Sequence, residues 1–192
     1  MNGARGTLTI ASGLALAMTL GACGGSDTKG GCSANPTGPG CPATPSPTPP
    51  PVRTIIKTGS CNDIGVDTLC FFNPFTTTQK GDLDVTVDWT FPEDSIQALV
   101  SSGTCTLDQI NGNQCSYIAT TPASTTPKPR VLTAKGVAAG TYQLYVGNRG
   151  PRTESVSVQV GLTTGGTASS DVGTNAGRRE DVRPYAGSVA AH

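Results

Sequence analysis

In the stretch Gly81-Asp-Leu-Asp-Val-Thr-Val-Asp-Trp-Thr-Phe91, polar and apolar residues alternate without a break. A period of two marks a strand that buries one face and wets the other. Leu83, Val85, Val87, Trp89 and Phe91 share the face expected to be buried, and Asp82, Asp84, Thr86, Asp88 and Thr90 share the wet one. The pattern recurs in Tyr142, Leu144 and Val146, and again in Val156, Val158, Val160 and Leu162. Less regular strand signals cover Thr54–Thr58, Leu69–Asn73, Ile96–Ser101, Gln114–Ala119 and Arg130–Ala134. No segment carries a helical period. Short strands at this spacing, separated by Gly, Pro and Asn, predict a sandwich or a barrel. The fold class is all-β, and the folded domain is placed at residues 53–162.

Composition narrows the function classes. The 192 residues include 25 glycines and 15 prolines, and only 14% are charged, against about 25% in an average domain. That argues against a helical bundle or a coiled coil. Thirteen Lys and Arg balance thirteen Asp and Glu, so no basic excess exists to displace counterions from nucleic acid. The single histidine is His192. A Ser–His or Cys–His nucleophile would have to rely on it.

The front of the chain gives an address. Arg5 is followed by an apolar run from Leu8 to Leu20, which reads as a signal peptide over residues 1–22. The run is shorter than the roughly 20 apolar residues of a spanning helix. It closes with Leu20-Gly21-Ala22-Cys23, which resembles the lipobox of bacterial lipoproteins. That resemblance implies cleavage before Cys23 and a diacylglycerol on its thiol. Gly24 follows the cysteine, where Asp would resemble an inner-membrane retention signal, so the outer membrane is the expected site. Two or three acyl chains, at about 0.8 kcal/mol per buried methylene, hold such a protein stably.

Residues 23–52 read as the lipidated cysteine and its spacer. Gly24, Gly25, Gly30 and Gly31 loosen the first part, and the run from Cys41 to Pro51 is dense in proline. Proline favours polyproline II, so residues 24–52 reach at most about 90 Å. An SH3-type proline ligand is the alternative use of such a stretch. Residues 163–192 are rich in Gly and Ser, and Arg178, Arg179 and Arg183 are interleaved with Glu180 and Asp181. With few large apolar residues to offset chain entropy, this tail is expected to be disordered.

Two segments within the domain resemble a second family. Gly81–Phe91 is similar to the glycine-led alternating strand of bacterial pre-peptidase C-terminal domains. Val137-Ala-Ala-Gly-Thr-Tyr-Gln-Leu-Tyr-Val-Gly-Asn148 is similar to that family's Gly-Thr-Tyr strand, and the alternating strand Glu154–Leu162 follows it after a short turn. The resemblance spans roughly Ile56–Leu162. It implies a non-catalytic, jelly-roll-like β-sandwich. Where that family carries an Asp-x-Asp pattern, this chain has Glu93-Asp94-Ser95-Ile96, which leaves a calcium role unsupported.

Other chemistry is sparse. Asp82, Asp84 and Asp88 share a strand face, where residues two apart lie about 7 Å from each other. They are weak metal candidates, too few in oxygens for calcium on their own. Paired carboxylates could also serve glycoside hydrolysis, but nothing marks one as a buried acid. Trp89 shares its face with Leu83, Val85 and Val87, so it is expected in the core rather than as a sugar platform. No cofactor is expected.

Six cysteines remain after Cys23. In an exported chain an even set implies disulfides. The short intervals Cys32–Cys41, Cys61–Cys70 and Cys105–Cys115 favour local pairing. Asn111-Gly112 signals a two-residue hairpin, in a register that would set Cys105 opposite Ile118. A Cys105–Cys115 bridge therefore requires that signal to be overridden, with the loop centred near Ile110.

These features point to a non-catalytic envelope lipoprotein that displays a small β-sandwich. Its expected partners are the membrane through a lipid anchor, and an envelope protein or a glycan. A glycan-binding module is the alternative, marked by exposure of Trp89 or Tyr145. A hydrolase with a carboxylate site is the third class.

Overall fold

The structure is a computed structural model that describes residues 49–165 and 183–192. Among the described residues, ten strands and one short helix follow in the order β1 (Val52–Ile64), β2 (Thr68–Phe71), β3 (Phe75–Thr77), β4 (Gly81–Trp89), β5 (Ile96–Ser102), α1 (Leu107–Asn111), β6 (Tyr117–Thr120), β7 (Arg130–Val137), β8 (Gly140–Asn148), β9 (Glu154–Thr164) and β10 (Gly187–Ala190). One sheet has the order β1-β9-β4-β7; the other runs β10-β2-β8-β5-β6, with β3 also paired to β8. The chain changes sheet from β1 to β2, β3 to β4, β4 to β5, β6 to β7, β7 to β8 and β8 to β9, and β10 lies in the sheet opposite β9. This is the double Greek-key winding of a jelly roll. The fold is an all-β sandwich, as the alternation predicts.

The inner faces meet in one core. Leu83, Val85, Val87 and Trp89 of β4 pack with Val156, Val158 and Val160 of β9, and with Cys70, Leu144, Val146 and Val100 of the opposite sheet. The strand that opens at Gly81 needs glycine there, since a Cβ would stand 2.5 Å from the Thr163 carbonyl oxygen. Phe91 departs from expectation. The ladder ends at Trp89 because the Glu154 carboxylate accepts from the N–H groups of Thr90 and Phe91, at 2.8 and 2.9 Å. Phe91 turns outward to 37% exposure and lies under the Arg152 guanidinium at 4.1 Å.

The outer face of the second sheet is also covered. Leu69, Leu99, Ile110, Tyr145 and Tyr185 form a second buried cluster, flanked by Phe71, Leu107, Tyr117 and the Cys105 and Cys115 side chains. The cover is the α1 segment, where the sequence showed no helical period. Thr106 caps it by accepting from the Gln109 N–H, and the Gln109 side chain accepts from the Thr106 N–H in return. Gly112 ends the helix. The Asn111-Gly112 pair therefore closes a helix rather than turning a hairpin, and β6 starts at Tyr117 instead of Gln114.

The tail expectation needs correction at both of its described ends. Thr163 and Thr164 continue β9, and β10 pairs in parallel with β2, Gly187 opposite Thr68 and Ala190 opposite Phe71. Tyr185 is buried. A ladder edge and an aromatic seat supply the stabilisation that the segment's composition lacks. Described residues on both sides of 166–182 thus belong to the two sheets, and the folded part does not stop at Leu162.

Candidate functional site

Cys23, Cys32 and Cys41 lie outside the described residues. The other four cysteines pair locally, Cys61 with Cys70 and Cys105 with Cys115. The first bridge ties β1 in one sheet to β2 in the other. The second staples the α1 segment, whose entry is fixed by the Cys105 N–H donating to the Tyr145 hydroxyl oxygen at 2.7 Å.

The three aspartates of β4 do face outward together, but each is engaged by a neighbour of its own. Lys135 Nζ lies 2.9 Å from Asp82, which also accepts from the Gly136 N–H at 2.8 Å. The Thr133 hydroxyl donates to Asp84 at 2.7 Å, and Lys128 Nζ donates to Asp88 at 2.7 Å. The Lys128 bond leads in holding Asp88 below the usual aspartate range. For Asp82, burial pushes the carboxyl up, yet the Gly136 N–H and Lys135 together outweigh it and the net direction is down. Among the described residues, no group of three or more His, Cys, Asp or Glu side chains is arranged to hold a metal ion.

At one end of this face, a groove of about 230 Å³ is lined by Ser60 and Asn62 of β1, by Asp88, Trp89 and the neighbouring Thr90, and by Ser155, Val156 and Ser157 of β9. Register explains its polarity. Ser60 and Asp88 both stand opposite Ser157, so the outward residues of three adjacent strands line up as a row of two hydroxyls and a carboxylate. Trp89 contributes no open ring, being 3% exposed, with Lys128 and Arg130 at 5.5 and 5.8 Å from its centroid. Tyr145 is fully buried and its hydroxyl donates to Gln143 Oε1 at 2.8 Å. Neither aromatic offers a sugar platform. His192 exchanges main-chain hydrogen bonds with Ser60.

Two buried arrangements carry no signature in the sequence. Arg130 is 4% exposed and donates to the carbonyls of Ile96, Pro122, Ser124 and Thr126 and to the Thr121 hydroxyl. One guanidinium thus fastens the whole β6–β7 connection. Asp94 is 0% exposed and neither carboxylate oxygen meets a hydrogen-bond donor. Arg152 Nε stands 3.8 Å away, beyond hydrogen-bond reach. Burial first, then the charge of Glu154, the hydrogen bond a protonated Asp94 carboxyl makes to Glu154, and the charge of Glu93 raise the Asp94 carboxyl above the usual range, with Arg152 opposing. The turn between β8 and β9 comes so close that a Cβ on Gly150 would stand 2.6 Å from Asp94 Cβ. A buried aspartate is invisible to periodicity because it lies in a loop.

What the geometry defines is a jelly-roll β-sandwich with a small polar groove on one sheet and a stapled cover on the other. No protein-family model and no curated protein matches this chain.

Proposed function

We propose that this chain is a non-catalytic, lipid-anchored protein of the bacterial cell envelope, which holds a β-sandwich away from the membrane for binding or for a structural role. The observation that carries the proposal is Leu20-Gly21-Ala22-Cys23 at the end of the apolar run Leu8–Leu20. The arrangement that follows supports it. A Gly- and Pro-rich spacer leads into β1 at Val52, so the anchor and the domain are joined by a stretch suited to standoff. The two disulfides fit a chain that matures in an oxidising compartment. The jelly-roll winding fits the resemblance to pre-peptidase C-terminal domains, and Gly24 favours the outer membrane.

The deciding experiment replaces Cys23 with Ser in the host and follows both fractionation and incorporation of an alkyne-bearing fatty acid. Loss of the label together with release into the soluble fraction is expected. A Cys23→Ser protein that stays in the membrane fraction would sink the anchor.

Glycan binding is the second role, now favoured by the polar groove rather than by an aromatic. Asp88→Ala should then abolish retention on an oligosaccharide array while leaving the far-UV spectrum unchanged.

A further inference from the structure

The segment that contains β10 is held as a protein holds a peptide from outside. Residues 166–182 separate it from β9 along the chain. Gly165 lies beside Pro50, at the end of the sandwich where Val52 pairs with Thr164. Arg183 lies beside Asp67, near the other end, where Ile64 pairs with Glu154. The eleven residues of β9 separate those ends by about 36 Å, while the chain from Gly165 to Arg183 can extend to about 60 Å.

The contacts are those of peptide recognition. The Asn111 amide donates to the Tyr185 carbonyl oxygen at 3.0 Å, and its oxygen accepts from the Tyr185 N–H at 2.9 Å. The Ala186 N–H donates to the Asp67 carbonyl oxygen at 2.7 Å, and β10 then adds to the edge of β2. The Tyr185 ring rests on Gly147, where any Cβ would overlap it. Its hydroxyl donates to Gln97 Oε1 at 2.5 Å, and the Arg149 guanidinium sits 3.6 Å from the ring centroid. Asp67 pairs with Arg183 at 2.6 Å. Main-chain pairing along a sheet edge gives affinity, and one side-chain pocket gives specificity.

We propose that the groove formed by Gln97, Asn111, Gly147 and Arg149 beside β2 is a peptide-binding site, and that it takes the Arg183–His192 segment of a second copy of this chain in exchange for its own. The cognate sequence is present on every copy, and none of these contacts requires that the segment be joined to the sheet it pairs with. The intervening residues are numerous enough to reach the segment's own groove, so pairing within one copy and pairing between copies compete. Exchange of an identical element is a low-cost route to assembly. Pairing within one copy is an intramolecular event with an effective concentration on the order of 1 mM, so exchange is favoured where copies are crowded. The proposal does not depend on the lipid anchor.

Two full-length variants test it by complementation. Gly147→Ala blocks the groove but keeps the segment; Tyr185→Ala keeps the groove but removes the ring. Analytical ultracentrifugation of an equal mixture should show a one-to-one dimer that neither variant forms alone. A mixture that stays monomeric, with both variants retaining a β-type far-UV spectrum, overturns the proposal. If either variant loses that spectrum, the decision passes to the unaltered full chain and a fluorescein-labelled peptide of residues 183–192. Saturable uptake, at least tenfold weaker when the peptide carries alanine in place of its tyrosine, supports exchange. No uptake at several millimolar peptide, well above the effective concentration of the tether, overturns it.

Discussion

The side chain of Asn111 binds both main-chain polar atoms of Tyr185, a residue 74 positions away along the chain. It thereby joins the helical cover to the β10 segment. Asn111→Asp keeps the shape and loses the donor, setting a carboxylate against the Tyr185 carbonyl. The expected loss is about 1–2 kcal/mol of unfolding free energy, read from a urea titration. Stability within a few tenths of the parent would show that the two elements are not coupled.

Trp89→Ala should cost about 3–5 kcal/mol, as deletion of a large buried aromatic does. The indole lies between the two sheets and is 3% exposed. Thermal and urea unfolding should agree on the loss. A near-neutral result would remove Trp89 from the core.

Arg130→Lys should behave as a severe change, costing about 2–3 kcal/mol. An ammonium has three donors and no planar fork, and it cannot reproduce the bonds to Ile96, Thr121, Pro122, Ser124 and Thr126. Limited proteolysis within residues 121–129 should accelerate with it. An unchanged cleavage rate there is the contrary outcome.

Asp94 imposes a pH dependence of definite sign. Its folded carboxyl is raised above the ordinary 3.8, so the folded state holds the proton more tightly than the unfolded chain. Stability is therefore unaffected by this group below about pH 3.8 and falls as pH rises through its folded value. Asp94→Asn should stabilise the domain at pH 7, and the gain should fade towards pH 4. Urea midpoints at a series of pH values check this; a variant less stable than the parent at pH 7 contradicts it.

Non-reducing peptide mapping should recover Cys61 linked to Cys70 and Cys105 linked to Cys115. Replacing both Cys105 and Cys115 with Ser should lower stability by about 2–3 kcal/mol on the chain-entropy model. The loss should be accompanied by faster proteolysis of the α1 segment. Linkage of Cys61 to Cys105 would refute the pairing.

The legible part of this protein is the part written in local periodicity and spacing. Strict alternation determined which faces of β4 and β9 are buried, because successive side chains on a strand must point to opposite sides. Short intervals determined the disulfide partners, because a loop of nine or ten residues meets its own end readily. The Leu20–Cys23 run on which the anchor proposal rests is likewise contiguous. Other features depend on elements distant in sequence, and only the tertiary structure decided them. Gln143 and Tyr145 alternate with the core residues of β8 and would be wet on an open sheet, yet both are buried. On this outer face Tyr145 packs with Ile110 of α1 and with Tyr185, under the stapled cover. Phe91 has the phase of a core residue but lies outside, because Glu154 captures the main chain just before it. Asp94 and Arg130 gain their burial from loops and strands that periodicity does not connect. The β10 segment has a tail's composition and takes its order from a sheet edge and an aromatic seat made elsewhere. A side chain's face is set by its neighbours in sequence; what covers that face is set by the fold.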